Sequence, residues 1–178
     1  MRSDRSNKSG FTLIELLVVI AIIAMLASVI LASLSNARAK ARDARRLADM
    51  HSIQTALEEY MSTYGHYPDA TNNGGGIDCG GWEISSGSGF LNSLVSAGFL
   101  PSSIKDPSKD GTLNCGNYRY FHYNPSAYGC PGNTSFYVLG IISMDTVVAG
   151  SNAPSNPGLN CPNENFNNAF QWVTSQHE

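Results

Sequence analysis

Between Phe11 and Leu34 the chain is apolar almost without interruption, relieved only by Thr12, Glu15, Ser28 and Ser33. A helix over these residues covers roughly 36 Å, enough to cross a bilayer core of roughly 30 Å. No Gly or Pro occurs from Phe11 through Tyr64, so nothing in the sequence ends the helix at a membrane face. Farther on, Leu47, Met50, Ile53, Leu57, Tyr60 and Tyr64 recur at steps of three and four, one apolar stripe on an amphipathic helix. Gly65 then offers a left-handed cap, and Pro68 blocks resumption. The pattern predicts one helix of about 54 residues, apolar on all sides over 11–34 and amphipathic over 35–64.

The pattern changes after residue 64. "FLNSLVSAGFLP" predicts a short helix near 90–97, ended by Gly98 and Pro101. "NYRYFHY" (117–123), "SFYVLGII" (135–142) and "MDTVVA" (144–149) are rich in β-formers and separated by turn-forming residues. "FQWVT" (170–174) adds a last edge strand, and 150–168 is a Pro/Asn/Gly loop that needs a staple. Residues 65–178 are therefore expected to form a head with an antiparallel sheet of three or more strands, its apolar face covered by the Leu47–Tyr64 stripe. The fold class is α+β.

Charge and cysteine usage sharpen the picture. Residues 1–46 hold eight Lys/Arg against three acids, whereas 47–178 hold three against eleven, a split hidden inside a net charge of -3. Such asymmetry points to contacts between unlike surfaces, either between copies or with a membrane face. Charged residues make up only 14% of the chain, which suits an extracytoplasmic, loop-rich head better than a cytosolic enzyme. Cys79, Cys115, Cys130 and Cys161 include no C-x-x-C pair, so zinc-ribbon and thioredoxin readings fail. An even count in an exported head reads as two disulfides. Three connectivities are open; Cys79–Cys115 with Cys130–Cys161 is preferred, against four free thiols in a reducing compartment.

Three readings compete for the first forty residues. A secretory signal peptide has an apolar region of about 7–15 residues without an acid, and the run here is longer and contains Glu15, although small-x-small sites occur at Ala37-Arg38-Ala39 and Ala39-Lys40-Ala41. A plain signal anchor would place Arg38, Lys40, Arg42, Arg45 and Arg46 outside, against the positive-inside rule. The third reading rests on "KSG" followed by "FTLIELLVVIAIIAML", which resembles the class III signal of type IV pilins and type II secretion pseudopilins. Weaker similarity continues through "YGHYPD" (64–69) and "GFLPSSIKDP" (98–107). Two features depart from the family: no Gly or Pro breaks the helix midway, and "DPSKDG" stands where a major pseudopilin commonly has Asp-Pro-Trp-Gly.

The resemblance implies that 1–10 is a leader, that prepilin peptidase cuts between Gly10 and Phe11, and that the new Phe11 amine is N-methylated. It implies a single-pass inner-membrane protein with an extracytoplasmic head, which polymerises through 11–34 into a helical homopolymer. The destination is a cell-surface pilus serving adhesion, motility or DNA uptake, or alternatively the periplasmic pseudopilus of a type II secretion system. Glu15 is the family's signature carboxylate, and physics gives it a task. Buried among packed helices without an opposite charge it would cost ~3–5 kcal/mol, and the nearest cation of suitable depth is the Phe11 amine of the same or the next subunit. Glu15 and Phe11 thus form an assembly pair that penalises wrong stagger. Lipid tails are as apolar as Leu, so burial alone cannot extract the helix from a bilayer. The resemblance supplies a cytoplasmic assembly ATPase acting through a platform protein.

The remaining candidates are weaker. Arg38, Arg42, Arg45 and Arg46 form a basic flank beyond the apolar run, read as a solvated collar or one meeting acidic heads of neighbours. Nucleic acid is the less favoured partner, since no aromatics interleave it. No H-E-x-x-H, G-x-S-x-G or P-loop pattern occurs, the four histidines are scattered, and no enzymatic role is expected. No cofactor is expected either; because some pseudopilins hold a structural calcium, Asp106, Asp110 and Asp145 are weak candidate ligands, without a D-x-D-x-D-G loop. Asn133-Thr134-Ser135 fits a glycosylation sequon. The alternative of another class is a monomeric membrane-anchored binding head, its ligand site formed by Trp82, Tyr118, Tyr120 and Trp172.

Overall fold

A computed structural model describes residues 11–69, 82–84, 90–102, 104–108 and 118–178, without the side chains of Ala32, Glu83, Ile84 and Phe90. It divides the chain into two units, Met1–Arg38 and Ala39–Glu178. One helix, α1 (Leu13–Tyr64), contributes to both. In the first unit the large apolar side chains from Leu13 to Leu34 are exposed, and this part of α1 is long and apolar enough to cross a membrane.

In the second unit α1 runs on to Tyr64, where the chain turns. Gly65 has φ 77° and its N–H reaches the Met61 carbonyl at 2.8 Å, the left-handed cap expected of a glycine there. The other elements are β1 (Glu83–Ile84), α2 (Phe90–Ser96), β2 (Tyr118–Tyr123), β3 (Phe136–Ile141), β4 (Asn160–Cys161), β5 (Glu164–Asn165) and β6 (Trp172–His177). Four of them form an antiparallel sheet in the order β1-β2-β3-β6, and β4 pairs with β5 in a small hairpin. The α+β class, the long helix and the small antiparallel head match the expectation, with β6 as the edge strand.

Alternation along the strands separates two cores. Tyr118, Tyr120, Tyr137, Leu139, Ile141 and Trp172 face the helix and pack with Met50, Ile53, Ala56 and Leu57 of α1. Phe136, Val138 and Val173 face the other way, against Phe166, Phe170 and the Cys130–Cys161 pair. β3 is therefore buried on both faces, which is why it reads as an unbroken apolar run. Gly140 lies at its close-packed point: a Cβ there would come within 2.5 Å of the Phe170 ring.

The Cys130–Cys161 disulfide is present, stapling the 150–168 loop to the β2–β3 connection. Cys79 and Cys115 lie outside the described residues. Changing Cys130 to Ser should destabilise the head by about 2–4 kcal/mol, measured as a lower urea midpoint than that of the wild type, both without reductant.

The strand expected over 144–149 is not formed. The backbone N–H groups of Asp145 and Thr146 donate to the Asp43 carboxylate, both at 2.8 Å, and that of Met144 donates to Gln171 Oε1. Donors engaged by side chains cannot join a ladder, and the segment is a loop. β1 carried too short a pattern to be expected.

Candidate functional site

The first turn of α1 holds the residues on which assembly was expected to rest. Gly10 lies outside the described residues, and Phe11 is 83% exposed. The Glu15 carboxylate accepts hydrogen bonds from the Thr12 backbone N–H at 2.9 Å and the Thr12 hydroxyl at 2.8 Å. The Glu15 N–H in turn lies 3.3 Å from Thr12 Oγ1. This reciprocal pattern is a capping box: Thr12 precedes the first helical residue, and Glu15 follows three positions later. The T-x-x-E signature was readable in the sequence, whereas the expectation considered only the charge of Glu15. Thr12 thus satisfies the carboxylate by hydrogen bonding within one chain but supplies no opposite charge.

The second cluster lies in the head, where the sequence pattern suggested a solvated basic collar. That expectation is corrected for two of its members. Arg46 is fully buried. Its Nε donates to Asp106 Oδ2 at 2.7 Å and its Nη1 to Asp43 Oδ1 at 2.6 Å and Asp145 Oδ2 at 3.0 Å. Its Nη2 reaches Asp106 Oδ1 at 3.2 Å and Ser108 Oγ at 2.6 Å. Arg42 donates to Asp145 Oδ2 at 2.6 Å. A planar guanidinium suits such a multi-partner role because its donors are fixed in one fork. Arg38, Lys40 and Arg45 remain exposed.

Electrostatics follow from that geometry. Burial works against the Arg46 charge, but Asp106, Asp145 and Asp43 outweigh it and hold the guanidinium protonated above its usual range. Burial also pushes the Asp43 carboxyl up. Hydrogen bonds from Thr146, the backbone of Asp145 and Thr146, and Arg46 win, so Asp43 stays below the usual carboxylate range. Asp145 behaves alike, with Arg42 and Arg46 overcoming burial. The cluster fastens the 104–108 and 143–148 segments to α1.

Asp106 and Asp145, named above as calcium candidates, are thus the counter-charges of guanidinium groups, and Asp110 lies outside the described residues. Among the described residues no group of three or more His, Cys, Asp or Glu is arranged to hold a metal ion. The rings named for a binding head do not converge. Tyr118 and Tyr120 are buried beneath α1, and Trp172 sits in the same core with Nε1 donating to the Ser155 carbonyl at 3.1 Å. Trp82 packs on the opposite face, 4.9 Å from the Phe170 ring. Asn133 is exposed in the β2–β3 connection.

An exposed apolar helix opening with an acid-bearing capping box, and a small α+β head, fit the pilin-like arrangement that the sequence suggested. Residues 5–31 match the family described as the prokaryotic N-terminal methylation motif. The chain is 33% identical over 107 residues to the type II secretion system core protein G of Escherichia coli K12, covering 60% of this chain and 62% of that protein. It is 34% identical over 65 residues to the protein of the same name from Aeromonas hydrophila, covering 36% and 46%. With the one from Pectobacterium carotovorum it shares 37% over 62 residues, covering 35% and 40%. The matched segment thus spans less than two thirds of each relative. No solved structure matches the chain. The chain thus carries a prokaryotic N-terminal methylation motif and is similar to type II secretion core protein G over the matched segment.

Proposed function

We propose that the chain is a structural subunit of a pseudopilus of the type II secretion kind, with no catalytic role and no cofactor. The observation that carries the proposal is the exposed apolar surface from Leu13 to Leu34, which follows a prepilin-type motif. Similarity to core protein G favours the pseudopilus over a surface pilus. In this reading 1–10 is the leader, removed between Gly10 and Phe11 by prepilin peptidase, which also methylates Phe11. Residues 11–34 anchor the subunit in the inner membrane and later form the filament core; 35–64 carry the helix into the head at 65–178, which faces the periplasm. A platform protein and an ATPase supply the work of extraction, because exchanging lipid for helix neighbours gains little.

Replacing Gly10 with Leu tests the reading. The expected product is an uncut precursor that stays in the membrane and yields no fibres, whereas the wild-type chain gives a methylated Phe11 N-terminus by mass spectrometry. Normal cutting of the variant, or a wild-type N-terminus beyond Ala39, would overturn it.

A further inference from the structure

The part of α1 inside the head carries exposed charge of opposite sign at its two ends. Near the start, Lys40 and Arg45 are exposed and hold no ion pair among the described residues, unlike Arg42 and Arg46. Lys105, also exposed, follows at the same end, since the neighbouring Asp106 lies on Arg46. Near the other end Glu59 is exposed and holds no ion pair among the described residues, and Glu58 beside it accepts from the Tyr67 hydroxyl at 3.2 Å. The last turn of α1 has no basic residue to balance them.

In the same turns of α1, Tyr60 packs with Phe99 at the edge of the core, and Tyr64 carries this ring cluster onto the surface. Tyr64 closes the apolar stripe of α1, yet it is 51% exposed. Its ring is 4.4 Å from that of Tyr60 and 6.3 Å from that of Phe99. Tyr60 also meets Phe99 at 6.1 Å and the exposed His66 at 5.8 Å. Burial, then the neighbouring Tyr64 and Asp69, hold the Tyr60 hydroxyl above its usual range, and the exposed Asp69 is a further acid at this end. An exposed ring and acids at the same end of a helix both favour Lys and Arg, since ring quadrupole and carboxylate attract the same cation.

The cations that fit are too far away in the same chain. Lys40 and Glu59 are separated by roughly 29 Å of helix at the standard rise, so one molecule cannot close the contact on itself. A second copy can, and a contact joining two different ends propagates as an open chain.

We propose that the patch formed by Glu59, Tyr60, Tyr64 and Phe99 is a docking surface for the Lys40–Arg45 end of α1 in a second copy of this chain. The contact rests on the filament reading and adds to it a head-to-head specificity element separate from the apolar stem. Exposed charges on both sides tune encounter and register rather than bulk affinity.

Photo-crosslinking in the assembling full-length chain tests it. A benzophenone amino acid placed at Tyr64 should give adducts on residues 39–46 of another copy, with isotope-mixed subunits marking the bond as intermolecular. Glu59→Lys should lower fibre yield about tenfold, and adding Arg45→Glu should restore it to within about twofold, because swapped charges re-form the pair. Fibres whose Tyr64 adducts fall elsewhere, or full yield from Glu59→Lys alone, overturn the docking surface and leave the filament reading standing. A wild-type chain that is cut and methylated yet gives neither fibres nor adducts overturns both.

Discussion

Replacing Arg46 with methionine is expected to destabilise the head by about 3–5 kcal/mol, because a buried ion pair broken from one side leaves the other charge without compensation. Methionine fills much the same volume, so the loss is electrostatic rather than a cavity. The side chains of Asp106 and Asp43 are 1% and 7% exposed, so solvent cannot replace the guanidinium. The Asp145 contact, 28% exposed on the carboxylate side, contributes less. A pH series separates this account from simple packing. In the wild-type head, Asp43 and Asp145 are held below the usual carboxylate range. Their contribution is therefore present above the unfolded value near ~3.9 and lost as pH falls through the lower folded values. In the variant, the carboxylates deprived of Arg46 are driven upward by burial and favour protonation. Acid therefore relieves the variant while it weakens the wild type. Urea unfolding between pH 7 and pH 3 should show the two stabilities converging. A gap that stays constant across that range would mean that Arg46 acts through shape alone.

This cluster also marks where local pattern stopped being informative. The apolar stripe was traced from Leu47 onward, but the buried face of α1 continues one turn earlier through Arg46 and Asp43, in step with Met50, Ile53 and Leu57. Hydrophobic periodicity cannot register a buried face made of charges. Their partners, Asp106 and Asp145, are 60 and 99 residues away from Arg46, beyond the reach of any window. The same blindness produced the false strand over 144–149: its β-forming side chains were legible, whereas the diversion of its N–H groups to Asp43 was not. At the other end the stripe overreached, since Tyr64 keeps the helical spacing and still remains on the surface. What the chain did announce was whatever depends on neighbours in sequence. The long helix follows from the absence of Gly and Pro, β3 from an apolar run buried on both sides, and the helix stop from Gly65. The prepilin-type motif, matched over residues 5–31, was legible for the same reason, because "GFTLIE" carries its proposed chemistry within six residues.

That motif yields the second large effect. Glu15→Val and Glu15→Gln are both expected to be cut after Gly10 and methylated normally, and both should lose at least about tenfold in fibre yield. The pair of variants is needed because the carboxylate has two jobs. Within one chain it closes the capping box with Thr12, accepting from the backbone N–H and the hydroxyl. Glutamine at the same position can still accept those bonds, so Glu15→Gln keeps the cap and removes only the charge, whereas Glu15→Val removes both. In the proposed filament the charge is what matters, since packed apolar helices offer the Phe11 amine of the same or a neighbouring subunit as the cation at that depth. Thr12 can shield the acid by hydrogen bonding but cannot neutralise it, so a stagger that misplaces the amine stays penalised. Fibre counts after identical processing decide the matter. If the glutamine variant assembles as well as the wild type while the valine variant fails, Glu15 serves as a helix cap, and the stagger is set elsewhere along α1.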